Sequence, residues 1–249
     1  MSVATHRVDT HDDYAVYQTS TMAALLAGLY DGDVTIGQLL THGDFGLGTF
    51  NHLDGEMVVI DGVCYHLRDD GSVEVASATD KTPFAAVMTF VGTQGFDVSK
   101  TTTLADVTHQ IDELTGGENL PVAIRIDGRF TSLTTRTVGE QHKPYPPLTD
   151  ATAHEAINTL ETTQGTIAGF RTPQFEAAIS VAGYHLHYVD DARKNGGHLL
   201  DLSLTAGHVS IAPISELRLV LPDTQAFRDA HFDLTDLENQ EHTAEGTSN

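Results

Sequence analysis

From Gln164 to Val220 the chain reads almost without interruption as β-strand: Gly165–Arg171, Ala178–Val189, His198–Thr205, Val209–Ile214 and Arg218–Leu221 are apolar runs separated by polar or glycine-bearing turns. This stretch commits the C-terminal part to sheet. Within it stands Gly183-Tyr184-His185-Leu186-His187-Tyr188, followed by Gly196-Gly197-His198. Residues two apart on a strand project to the same face, so His185 and His187 lie side by side. The polar segment 189–197 carries Asn195-Gly196-Gly197 and reads as a hairpin turn that returns His198 beside the first pair. Three neutral imidazoles converging from paired strands form the protein half of a catalytic zinc site, with a fourth position open to water or substrate. The bland alternative is a pair of solvent-facing histidines, in a chain that has 14 of them.

The rest of the chain alternates short strands with a few helices. Tyr14–Ser20 is strand-like, Thr21–Leu29 a short helix, and Thr35 the N-cap of a second helix that stops at Gly43. The glycine-rich segment Gly43–Gly55 predicts an irregular or sharply turned loop. Met57–Ile60 and Val63–Leu67 form a hairpin across Asp61-Gly62, followed by strands at Val73–Ala76 and Ala85–Val91. Leu104, Val107, Ile111 and Leu114 have the spacing of an amphipathic helix. Val122–Arg136 reads as two strands around Asp127-Gly128, Pro144–Pro147 as a stiff linker, and His154–Glu161 as a helix. The expected class is α+β, with mostly antiparallel or mixed sheet and the metal site on a C-terminal hairpin. A helix followed by a run of strands occurs in each half, which suggests two related halves: 1–148, and a β-rich 149–235 that carries the histidines. Beyond them, 236–249 is a polar tail.

Net charge is −22, from 35 acids against 13 bases, which opposes nucleic acid or an anionic membrane as a partner. The single cysteine, Cys64, excludes an internal disulfide framework and sits in an apolar run as core filler. No secretory signal and no apolar run of about 18 residues is apparent, so the expected compartment is the cytoplasm. No phosphate-binding glycine motif occurs. His42, His52, His66 and His208 read as surface groups, and Asp190 and Asp191 as part of a polar turn rather than a metal carboxylate.

Four long segments carry a resemblance to a known family: YQTSTMAALLAGLYDGDVTIGQLLTHGDFGLGTFNHLDGEMVVIDG (17–62), RTVGEQHKPYPPL (136–148), GTIAGFRTP (165–173) and GYHLHYVDDARKNGGHLLD (183–201). On these the chain resembles the acetolactate decarboxylases over nearly its whole length. The resemblance implies two related α+β halves, a homodimer, and conversion of the small molecule 2-acetolactate to acetoin and CO2. It assigns His185, His187 and His198 as ligands of Zn2+, Glu56 and Arg136 as catalytic groups, and Thr49 as lining the substrate pocket. Arg136 would also bind the substrate. A second acid near the C-terminus folds over the zinc in this family; Glu245 is the best match here, with Glu238 and Glu241 nearby.

The chemistry suits these residue types. Decarboxylation of a 3-oxo acid leaves a carbanion that becomes an enediolate, and chelation of carbonyl and hydroxyl oxygens by zinc would hold that charge. Arg136 would hold the departing carboxylate or steady the enediolate, and a protonated glutamic acid would deliver the proton. Three imidazoles also accept Fe, Ni, Cu or Co. The rival readings are a three-histidine zinc hydratase or hydrolase, and a non-catalytic metal- or small-molecule-binding module on the same fold.

Overall fold

The computed structural model describes residues 14–245. In chain order these form β1 (Ala15–Thr19), α1 (Met22–Leu26), β2 (Val34–Thr35), α2 (Ile36–Leu39), β3 (Phe45–Thr49), β4 (Glu56–Ile60), β5 (Val63–Leu67), β6 (Val73–Val75), β7 (Lys81–Thr82), β8 (Ala85–Met88), β9 (Gln94–Val98) and β10 (Thr102–Thr103). There follow α3 (Leu104–Thr115), β11 (Val122–Thr137), α4 (Leu148–Ala151), β12 (Ala156–Leu160), β13 (Thr163–Thr172), β14 (Gly183–Asp190), β15 (Gly196–Pro213), β16 (Glu216–Val220), α5 (Gln225–Asp229) and α6 (Leu237–Glu245). The fold is α+β and strand-dominated.

One sheet runs in the order β16-β1-β8-β3-β4-β5-β6, antiparallel except for the parallel pair β1–β16. The other runs β10-β15-β14-β13-β11-β12, with β9 on β15 and a further pairing of β15 with β11. The pairings β11–β13, β13–β14, β14–β15 and β15–β11 thus close on themselves. Each sheet draws strands from both sides of residue 148: β11 joins the histidine-bearing sheet, and β16 joins the N-terminal one. The sheets pack face to face through Leu47, Val58 and Ile60 against Ala123, Ala168, Phe170 and Val189. On the other face of the second sheet, α3 buries Val107 and Ile111. Fully burying such side chains contributes about 1.5–3 kcal/mol each. Thr103 and Asp106 form the capping box that starts this helix.

Several sequence expectations need correction. Gly43–Gly55 is not all loop: β3 runs through it. A Cβ on Gly46 would lie 2.0 Å from the Ala86 carbonyl oxygen, and one on Gly48 2.4 Å from that of Phe84, so these glycines allow a close strand approach. Asp127-Gly128 does not divide two strands. β11 is one 16-residue strand, and Gly128 faces Gly165 on one neighbour and Gly207 on the other. These aligned glycines leave room for Leu204, whose Cδ1 would lie 2.5 Å from a Cβ on Gly128. Likewise β15 is one 18-residue strand, not two. The expected helix 154–161 is the strand β12, paired with Leu133–Thr137 of β11. There the ladder overrides a helix-compatible spacing, and Ile157 is left 70% exposed. The strand expected from Ala178 begins only at Gly183, after a short 3-10 turn at Gln174–Glu176. The polar C-terminal segment contains a helix, α6.

Candidate metal centre and active site

Strand register assembles the site. His187 on β14 pairs with His198 on β15, and His198 pairs on its other side with Arg136 of β11. One row across three strands therefore holds Arg136, His198 and His187, with His185 two residues along β14 on the same face. Asp190 pins the turn between the two histidine strands. Its carboxylate accepts from the Lys194 amide and the Asn195 side chain, each at 2.7 Å, so it serves the loop rather than the histidine cluster.

The three histidines are buried, with exposures of 8, 0 and 3% for His185, His187 and His198. One ring nitrogen from each lies within 4.8 Å of the others. The Nε2 atoms of His185 and His187 are 3.1 Å apart. His187 Nδ1 lies 2.7 Å from the Met57 carbonyl oxygen, which can only accept, so Nδ1 carries the hydrogen and Nε2 keeps its lone pair toward the cluster. Burial holds His187 down at about 4 and depresses His185 and His198 well below the usual imidazole range. The rings are therefore neutral, as metal ligation requires. Two ligands of a tetrahedral zinc, at about 2.0–2.1 Å each, stand about 3.3–3.4 Å apart, so the donor set and the 3.1 Å spacing fit that ion.

Carboxyl groups and one guanidinium surround the cluster. Glu56, the first residue of β4, places Oε2 3.6 Å from His187 Nε2. Glu245, the last residue of α6, places Oε2 3.8 Å from His185 Nε2 and 3.7 Å from His198 Nδ1. Arg136 donates Nη2 to the Ala244 carbonyl at 2.6 Å and lies 3.8 Å from Glu245. Its Nη1 meets Glu155 Oε2 at 3.0 Å, and its buried Nε has no partner among the described residues. Burial raises Glu56 well above the ordinary carboxyl range, helped by the like charges of Glu155 and Glu245 and opposed by Arg136. Burial likewise pushes Glu155 and Glu245 up to about 7, again against the pull of Arg136. Acids held protonated near neutrality are proton donors.

Thr49 faces Glu56 across β3 and β4 and lines the same small cavity, of about 30 Å³, as Glu56, Arg136, Glu155, His185 and Glu245. Its hydroxyl donates to the Gly55 carbonyl at 2.7 Å. The approach to Glu56 is strained: His52 and Leu53 have φ of +68° and +55°. Such non-glycine residues cost on the order of 1–3 kcal/mol each. The turn is held by the Tyr30 and His52 carbonyls, which accept from the His52 and Gln141 amides at 2.8 and 2.7 Å.

His66 departs from the surface placement expected for it. It is 4% exposed, stacks on Phe50 at 3.8 Å, and donates Nε2–H to the Asp54 carbonyl at 2.5 Å, helping to fix the turn before Glu56. His42, His52 and His208 do face solvent. Of the alternative C-terminal acids, Glu241 accepts from the Ala178 amide at 3.0 Å, and the Glu238 side chain lies outside the described residues. Glu155 escaped the sequence reading. Treating 156–160 as a strand on β11 would have found it, because Arg136 pairs with Ile157, two residues on.

The family model for alpha-acetolactate decarboxylase matches residues 16–234. An alpha-acetolactate decarboxylase of Klebsiella aerogenes is 42% identical over 92% of this chain and 88% of its own length. That of Bacillus subtilis strain 168 is 40% identical over 93% of this chain and 91% of its own length. A crystal structure of the alpha-acetolactate decarboxylase from Bacillus subtilis strain 168 superposes with a TM-score of 0.91 at 39% identity, covering 94% of this chain and 100% of that one. With its three buried histidines set in that same fold, this chain belongs to the alpha-acetolactate decarboxylase family.

Proposed function

We propose that this carbon–carbon lyase converts 2-acetolactate to acetoin and CO2, with zinc held by His185, His187 and His198. The observation that carries the reading is the buried, neutral three-histidine cluster flanked by Glu56, Glu245 and Arg136. When bound, zinc supplies Lewis-acid polarisation of the substrate's carbonyl and hydroxyl oxygens.

The chain's own groups do the rest. Arg136, a permanent cation in the cavity wall, orients the substrate carboxylate until the C–C bond breaks and its electron pair passes into an enediolate. The carboxylic acid of Glu56 then delivers a proton to carbon, forming acetoin. Glu245 approaches from the side of His185 and His198, whereas Glu56 approaches His187. This placement gives a second acid for proton movement on a differently oriented substrate. With Ala244 and Glu245 in the cavity lining, α6 helps exclude water from the carbanion. Thr49 acts as a positioning residue for the Glu56 turn.

Family resemblance further supports a homodimer acting on this small molecule, and the cytoplasm remains the proposed compartment. No helix among the described residues is long and apolar enough to cross a membrane. The test is acetoin formation from racemic acetolactate before chelation, after it, and after zinc is added back. Loss on chelation and recovery with zinc are expected. No acetoin from folded, zinc-loaded protein would favour the hydratase or binding-module reading.

Thr49→Val tests the turn. Leaving the Gly55 carbonyl unsatisfied costs about 1–3 kcal/mol by denaturant unfolding. Turnover should fall about tenfold with zinc stoichiometry unchanged, a fall equal to about 1.4 kcal/mol of barrier. Unchanged turnover would remove Thr49 from its positioning role.

A further inference from the structure

A second cavity, of about 320 Å³, lies between the two sheets and is walled largely by apolar side chains, among them Val16, Leu47, Ala86, Phe170 and Ile214. Its size and lining are those of a small-molecule pocket. Phe84 and His185 line both this cavity and the small one that holds Glu56, Arg136 and Glu245. Phe84 is 3% exposed and packs with Leu25, Leu53, Val138 and Leu148. Phe84 is therefore common to the walls of the polar site and of a larger, mainly apolar chamber.

The backbone at Phe84 is held independently of the ring. Its carbonyl accepts from the Thr49 amide at 3.0 Å and the Thr82 hydroxyl at 2.9 Å, and its amide donates to Thr82 Oγ1 at 3.2 Å. Truncating the side chain leaves these bonds in place.

We propose that Phe84 sets the length limit on the alkyl substituents of the substrate, and that the chamber behind it is a latent alkyl pocket. The inference rests on the decarboxylase reading and names the substrate class it extends to: 2-alkyl-2-hydroxy-3-oxo acids with chains longer than ethyl. The reaction is unchanged; the bond to the carboxylate breaks, CO2 leaves, and a proton replaces it. With the ring present, a chain longer than methyl or ethyl meets Phe84. With the ring removed, the chain enters apolar space, where each buried methylene favours binding.

The experiment compares kcat/KM for 2-acetolactate and for its 2-propyl and 2-butyl analogues in the zinc-loaded parent, in Phe84→Ala, and in Phe84→Ala combined with Ala86→Phe. Ala86, two residues along from Phe84, lines the apolar chamber but not the polar site, so Ala86→Phe should refill the new space from the chamber side. Phe84→Ala is expected to raise the long-chain to methyl ratio at least tenfold, and the double variant to return it toward the parent value. Phe84→Leu removes less volume and should give a smaller gain, which supplies a reading should the alanine variant fold poorly. A ratio that stays flat in folded, zinc-loaded Phe84→Ala or Phe84→Leu overturns the inference. So does a gain that survives Ala86→Phe. A parent inactive on the whole series overturns the decarboxylase reading as well, so the two failures are distinct.

Discussion

His198→Ala should lose bound zinc and acetoin formation together while the fold persists. His198 offers one of the three clustered ring nitrogens and sits at the centre of the row, paired with His187 on one side and Arg136 on the other. Two imidazoles hold zinc far more weakly than three, and Lewis-acid stabilisation is worth several kcal/mol. A loss of about 4 kcal/mol of transition-state stabilisation is roughly 10³-fold in rate. The fold should survive because the ladder at this position is made by backbone groups and the hydrophobic clusters lie to either side. Thermal unfolding supplies an independent readout. A metal that binds only the native state raises its stability, so chelator should lower the melting temperature of the parent and leave His198→Ala unmoved. Full activity, or a parent-like response to chelator, would overturn the metal assignment.

The histidine cluster is legible in the sequence because its two determinants are local. A period of two places His185 and His187 on one face, and Asn195-Gly196-Gly197 turns the chain back to His198. What lies across the sheet is not local. The pairing of Arg136 with His198 depends on β11 being one unbroken strand, and Asp127-Gly128 reads as punctuation because the partners Gly165 and Gly207 are far away in sequence. Glu155 was hidden for the same reason: its segment has helix-compatible spacing and becomes a strand only through the ladder with β11. Glu56, Thr49 and Glu245 carry no local mark of function. Glu56 reads as a residue after an Asp-Gly turn, and only resemblance singles it out. Burial separates it from ordinary surface glutamates, and burial here is set by tertiary packing around the turn.

Arg136→Ala should destabilise the metal-free protein in a pH-dependent way and also abolish most activity. The guanidinium stands between Glu155 at 3.0 Å and Glu245 at 3.8 Å, all three nearly buried. Removing one partner of a buried ion pair costs about 3–5 kcal/mol, which for a domain of this size is about 6–20 °C in melting temperature. The sign of the pH effect follows from the carboxyls. Glu155 and Glu245 titrate at about 7 in the folded protein, above the ordinary value of 4.5. Between these values the folded state binds protons that the unfolded state has released, so stability falls as pH rises through the window. The penalty is complete above about 7 and absent below about 4.5. Without Arg136 both carboxyls shift further upward, so the variant should lie closest to the parent at pH 5 and furthest below it at pH 8. Arg136 is also among the causes that depress His185, His187 and His198, and its loss eases their protonation, which favours the variant at low pH in the same direction. Losing a charged donor to the reacting groups should lower turnover about 10²–10³-fold. Arg136→Lys keeps the charge without the planar fork and should fall between the two. Melting curves of metal-free parent and variant from pH 5 to 8 decide the matter: parallel curves would mean that Arg136 does not hold these acids, whereas divergence toward high pH identifies it as the cation that lets Glu155 and Glu245 share one buried cavity.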